Sequence, residues 1–170
     1  DPATNGVFLI RSGATWEWNL SSPALCDLDG DGGKDIIFGT GSDDLGGPRV
    51  TALKADGSHV AGFPYFTSNR VNNSPAVGDL NNDGILEIVF YDTSGNLFAV
   101  QQDGTDYPGF PVAYGFGTMS GGLPSVALGD MDGDGQFEII FAGNVTGDLS
   151  KLVIVDTDIS GGTSGQSLSG

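Results

Sequence analysis

Asp27-Leu28-Asp29-Gly30-Asp31-Gly32-Gly33-Lys34-Asp35 places carboxylates at its first, third, fifth and ninth positions and a glycine at its sixth. The pattern returns as Asp79-Leu80-Asn81-Asn82-Asp83-Gly84-Ile85-Leu86-Glu87 and as Asp130-Met131-Asp132-Gly133-Asp134-Gly135-Gln136-Phe137-Glu138. Oxygen donors alternating around a turn glycine are what a hard cation takes from a short loop, and Ca2+ is the first candidate. A polar turn needs only one or two Asp or Gly residues. Four oxygen-bearing side chains at fixed places, three times over, describe a coordination sphere instead. An EF-hand closes with Glu at the twelfth position between helices, whereas here the closing acid is ninth and opens an apolar run. The windows begin 52 and 51 residues apart, so each belongs to a larger repeating unit.

The flanks repeat as well. Ahead of the windows stand Ser22-Pro23-Ala24-Leu25-Cys26, Ser74-Pro75-Ala76-Val77-Gly78 and Pro124-Ser125-Val126-Ala127-Leu128-Gly129. Behind them come Ile36-Ile37-Phe38, Ile88-Val89-Phe90 and Ile139-Ile140-Phe141, unbroken apolar runs that predict inner strands covered on both faces. Third strands are expected at 49–53, 96–100 and 149–155, with Asp56-Gly57 and Asp103-Gly104 as hairpin turns. In the first two units a fourth strand is expected to lead into Gly62-Phe63-Pro64 and Gly109-Phe110-Pro111. No stretch holds a 3.6-residue apolar period, so helices are not expected.

Four antiparallel strands per unit predict an all-β chain of β-propeller blades, about three and a half of them. The expected divisions are 1–20 as a half blade (third and fourth strands), 21–70, 71–121 and 122–160 as blades carrying loops one to three, and 161–170 as a Gly/Ser-rich tail with little to pack. A count short of closure predicts open strand edges that neighbouring blades of a longer chain, or other copies, would cover. The start at Asp1 without Met points to a processed secreted chain or a piece of a longer one.

The chain has 170 residues and a formal charge of −16, and half of its 22 acidic residues lie inside the three windows. Three divalent ions would bring the charge to about −10 and relieve the crowded carboxylates. Six Lys and Arg, unclustered, leave nothing to neutralise a phosphate backbone, and no apolar run is long enough to span a bilayer. Neither nucleic acid binding nor membrane insertion is expected. Glycine, at 29 residues, exceeds twice its usual share, which suits short strands joined by tight turns. Cys26 is the only cysteine and reads as a small packing residue.

The windows, with Phe38-Gly39 and its equivalents, resemble the FG-GAP repeat family, also called VCBS-type repeats, found in integrin α-subunit propellers and many secreted microbial proteins; the likeness spans residues 6 to 156. The resemblance implies a β-propeller with a calcium ion in the loop joining the first two strands of each blade. Carried over position by position, it implies a first site of Asp27, Asp29, Asp31 and Asp35 with the Gly33 carbonyl. The second would use Asp79, Asn81, Asp83 and Glu87 with the Ile85 carbonyl, and the third Asp130, Asp132, Asp134 and Glu138 with the Gln136 carbonyl. Asn81 lowers the ligand charge by one, which implies a weaker second site.

No catalytic constellation is expected. His59 is the only histidine, so a triad or His-based zinc site would have to be built around it, and the carboxylates are committed to the loops rather than set as a glycosidase pair. The expected role is a calcium-binding structural or adhesive module, extracellular or at the cell surface, that meets other copies of itself, another protein or a glycan. The rival expectation is the accessory or propeller portion of a larger secreted polysaccharide lyase or hydrolase. Carbohydrate binding through Trp16, Trp18, Tyr65 and Tyr114 is a third reading, though aromatics of this kind more simply pack blades.

Overall fold

The computed structural model describes residues 21–41, 46–114, 125–145, 149–157 and 166–168. The expected half blade over 1–20, with Trp16 and Trp18, lies outside the described residues. Three four-stranded antiparallel sheets, each in simple sequential order, make up the rest, and no helix occurs among the described residues. The first holds β1 (Ala24–Cys26), β2 (Asp35–Thr40), β3 (Arg49–Leu53) and β4 (Tyr65–Phe66). The second holds β5 (Ala76–Gly78), β6 (Glu87–Tyr91), β7 (Asn96–Gln101) and β8 (Val112–Ala113). The third holds β9 (Ala127–Gly129), β10 (Glu138–Val145), β11 (Leu149–Val155) and β12 (Gln166–Leu168). The fold is all-β, and the sheets share one register: Ala24, Ala76 and Ala127 oppose Ile37, Val89 and Ile140.

The apolar runs become inner strands because each face of the middle sheet serves a different core. Ile88 and Phe90 of β6, with Phe98 and Val100 of β7, pack on Ile37, Val50 and Ala52 of the first sheet. Val89, Tyr91, Leu97 and Ala99 point the other way and meet Ile139, Phe141, Val153 and Val155 of the third. Period-two alternation thus welds three sheets through two cores. Aromatic contacts join them: Phe90 and Phe98 stack at 5.0 Å, Tyr65 stands edge-on to both, and Tyr114 meets Phe141 at 5.3 Å. Tyr65 and Tyr114 are therefore engaged in packing.

Two expectations are corrected. The fourth strands follow the Gly-Phe-Pro segments rather than leading into them. After the Asp56-Gly57 turn only a single bridge, Leu53 to His59, forms, and Val100 to Asp106 repeats it. Gly62 and Gly109 then take positive φ, and the prolines that follow have no N–H to give a ladder, so pairing resumes only at β4 and β8. Gly62 also lies against the next repeat, since a Cβ there would collide with the Asp103 carbonyl oxygen.

Second, the terminal stretch contributes structure: Gln166–Leu168 pairs with Leu152–Ile154 as the fourth strand of the third sheet. Composition misses it because strand pairing draws on backbone N–H and C=O groups, which a Gly/Ser-rich segment supplies as well as any other.

Candidate metal loops

Each acidic window joins the first and second strands of its sheet, and its ninth residue opens the second strand. That residue, Asp35, Glu87 or Glu138, is buried in every repeat. Its carboxylate accepts the N–H of the window's second residue, from Leu28 at 2.9 Å, Leu80 at 2.9 Å and Met131 at 2.6 Å. The loop is thereby folded back onto the strand it precedes.

Further hydrogen bonds repeat in the same way. The sixth-position glycines, Gly32, Gly84 and Gly135, donate to the first-position carboxylates of Asp27, Asp79 and Asp130 at 3.0, 2.7 and 3.1 Å. Their φ values of 89°, 87° and 92° explain why glycine is required there. The seventh-position N–H groups of Gly33, Ile85 and Gln136 donate to Asp31, Asp83 and Asp134 at 2.7 to 2.8 Å. At the fourth position Gly30 and Gly133 are matched by Asn82 with φ 58°, a conformation Asn tolerates better than most residues.

Backbone donors hold one side of each loop while carboxylates crowd the other. Oxygens of Asp27, Asp29 and Asp35 lie within 4.8 Å of one another, as do those of Asp130, Asp132 and Glu138, and each trio could hold a metal ion. Two buried oxygens, Asp27 Oδ1 and Glu87 Oε1, have no hydrogen-bond partner. Such atoms normally do, so the donor set fits a hard cation. Burial, with the charges of Asp83 and Asp79, pushes the Glu87 carboxyl up to about 7 against the pull of the Leu80 N–H.

The loops differ in how their charge is met. In the first, Lys54 Nζ lies 2.6 Å from Asp29 Oδ2 and 2.7 Å from Asp31 Oδ2, and that bond, with the Gly33 N–H, holds the Asp31 carboxyl below its ordinary value. In the second, the Asn81 amide donates to Asp83 Oδ2 at 2.9 Å. Lys54 carries no local signal of this role, because it stands 23 residues from Asp31 and reaches it only through the β2–β3 pairing.

A family model described as an FG-GAP-like repeat matches residues 27–90 and again 79–141. The chain belongs to the FG-GAP-like repeat family. Each match begins on the first carboxylate of one loop and runs through the next loop into the following repeat's second strand, so an FG-GAP unit spans the packed core between two sheets. No curated protein matches the chain.

His59 is exposed at its isolated bridge. Cys26 is half-buried, and burial together with the Asp35 charge pushes its thiol up to about 11, so it is protonated at neutral pH. Among the described residues no helix is long and apolar enough to cross a membrane.

Proposed function

We propose that this chain is a calcium-stabilised, non-catalytic β-propeller module of an extracellular protein, used in adhesion or in building a surface assembly. The observation that carries the calcium reading is the thrice-repeated loop with one hydrogen-bond skeleton, whose buried oxygens Asp27 Oδ1 and Glu87 Oε1 lack partners. An ion at each loop would be held by the side chains at positions one, three, five and nine, with the carbonyls of Gly33, Ile85 and Gln136. It would screen the carboxylates and lock the first hairpin of each blade, so binding would add directly to folding stability. Extracellular calcium is abundant enough to fill sites of modest affinity.

The propeller reading is supported by three meander sheets of equal register whose first strands lie side by side, β1 against β5 and β5 against β9. Assembly is supported by the end faces. Leu97, fully buried between the second and third sheets, corresponds to Leu152, which is 44% exposed. Leu80, also fully buried, corresponds to Met131 at 60%. At the other end Leu25, counterpart of the packed Val77 and Leu128, is 68% exposed. Head-to-tail docking of copies would cover both ends.

Thermal melting with calcium and with excess chelator tests the first part, and a sharp fall in melting temperature on chelation is expected; an unchanged melt removes the ion. Light scattering tests the second, where oligomers are expected and a monomer at every concentration, with or without calcium, refutes assembly.

A further inference from the structure

Lys54 has no cationic counterpart at the same position of the other repeats. The shared register sets Leu53, Val100 and Val155 opposite Ile36, Ile88 and Ile139, so the residue one step further is Lys54 in the first repeat, Gln101 in the second and Asp156 in the third. Lys54 reaches across the hairpin to the loop and holds both the third- and fifth-position carboxylates, whereas Lys34, inside the same window, is not their ion-pair partner among the described residues. Those two side chains belong to the ligand set of the first loop, and an ammonium bonded to both occupies the oxygens a metal ion would need. The first and third loops otherwise carry the same count of carboxylates at the same places.

We propose that Lys54 is a tethered cation that competes with the metal ion for Asp29 and Asp31, so that the first loop stays ordered without metal and fills after the third. This inference rests on the calcium reading above. An ion entering the first loop must displace Lys54, whose ammonium returns to water. At the third loop the corresponding residue, Asp156, brings no ammonium to compete with the ion. One position across the hairpin therefore grades the loops, and the first becomes the site that responds to a changing calcium level.

The test is a calcium titration of the whole chain followed by NMR, reading the amides of Gly32, Gly84 and Gly135, which report the three loops separately through their bonds to Asp27, Asp79 and Asp130. In the unaltered chain the Gly32 midpoint should lie at higher calcium than that of Gly135. Lys54→Gln, which installs the second repeat's residue, should lower the Gly32 midpoint about threefold to tenfold, the worth of one or two partly exposed ion pairs. Gly84 and Gly135 should not move, and Lys54→Arg should keep the original Gly32 midpoint. In chelator, Lys54→Gln should broaden or shift the Gly32 amide as the loop loses its internal counter-ion. A Gly32 midpoint unchanged or raised by Lys54→Gln overturns the competition while leaving calcium binding intact. If no glycine amide responds to calcium in the unaltered chain, the calcium reading falls, and this inference with it.

Discussion

Glu87→Gln should change stability in opposite directions with and without calcium. The side chain is fully buried, one oxygen accepts the Leu80 N–H at 2.9 Å, and the other has no partner. Glutamine keeps the shape and the acceptor for Leu80 but cannot ionise. Burial raises the folded carboxyl to about 7 from 4.5, so the metal-free folded chain binds more protons than the unfolded one between those values. Its stability therefore falls as pH rises through that window and levels off above it. At about 1.4 kcal/mol per pKa unit the cost approaches about 3 kcal/mol, and about 1–2 kcal/mol once solvent at the loop edge screens the charge. In chelator at pH 8 Glu87→Gln should thus gain about 1–2 kcal/mol, and at pH 4.5 almost nothing. In calcium the variant loses a ligand and much of the binding stabilisation, which is about 2.7 kcal/mol for an ion at a hundredfold excess over its Kd. Urea unfolding at both pH values in both buffers measures all four quantities. Equal destabilisation in chelator and in calcium would refute the reasoning, because Glu87 would then be only a structural acceptor.

Two further outcomes follow from the repeat packing. In a chemical melt at a dilution where the chain is monomeric, Leu97→Ala should cost about 2–5 kcal/mol and its counterpart Leu152→Ala under about 1 kcal/mol, since only the first empties a closed core; equal costs in the monomer would mean that the third sheet's outer face is covered within the chain. Gly62→Ala should cost at least about 2 kcal/mol, from its φ of 87° and from the Asp103 carbonyl that a Cβ would strike; a melt within error of the unaltered chain would refute that contact.

What was legible in the sequence was local. The acidic windows, the inner strands at Ile36–Phe38 and its equivalents, and the Asp-Gly turns each announce themselves within a few residues, through charge spacing, apolar runs or turn chemistry. The strands that pair at a distance were not. β4 and β8 begin only after a proline, and β12 lies in a stretch whose side chains carry no apolar pattern, so only the register of the finished sheet selects them. At the candidate site the windows supplied the carboxylates. The partners that distinguish one loop from another did not show, because Lys54 is set against Asp29 and Asp31 by strand pairing alone. The closure of the middle sheet on both sides is likewise a tertiary fact, visible in Val89 and Phe90 burying into different cores.

The central claim is that the three loops are cation sites, and counting ions tests it most directly. Equilibrium dialysis of the full chain against calcium, with magnesium in excess, followed by metal analysis should give three calcium ions per chain, falling to two when Asp130 and Asp132 are both changed to Asn. No bound calcium at millimolar concentration, or a count that the double change leaves untouched, would contradict it.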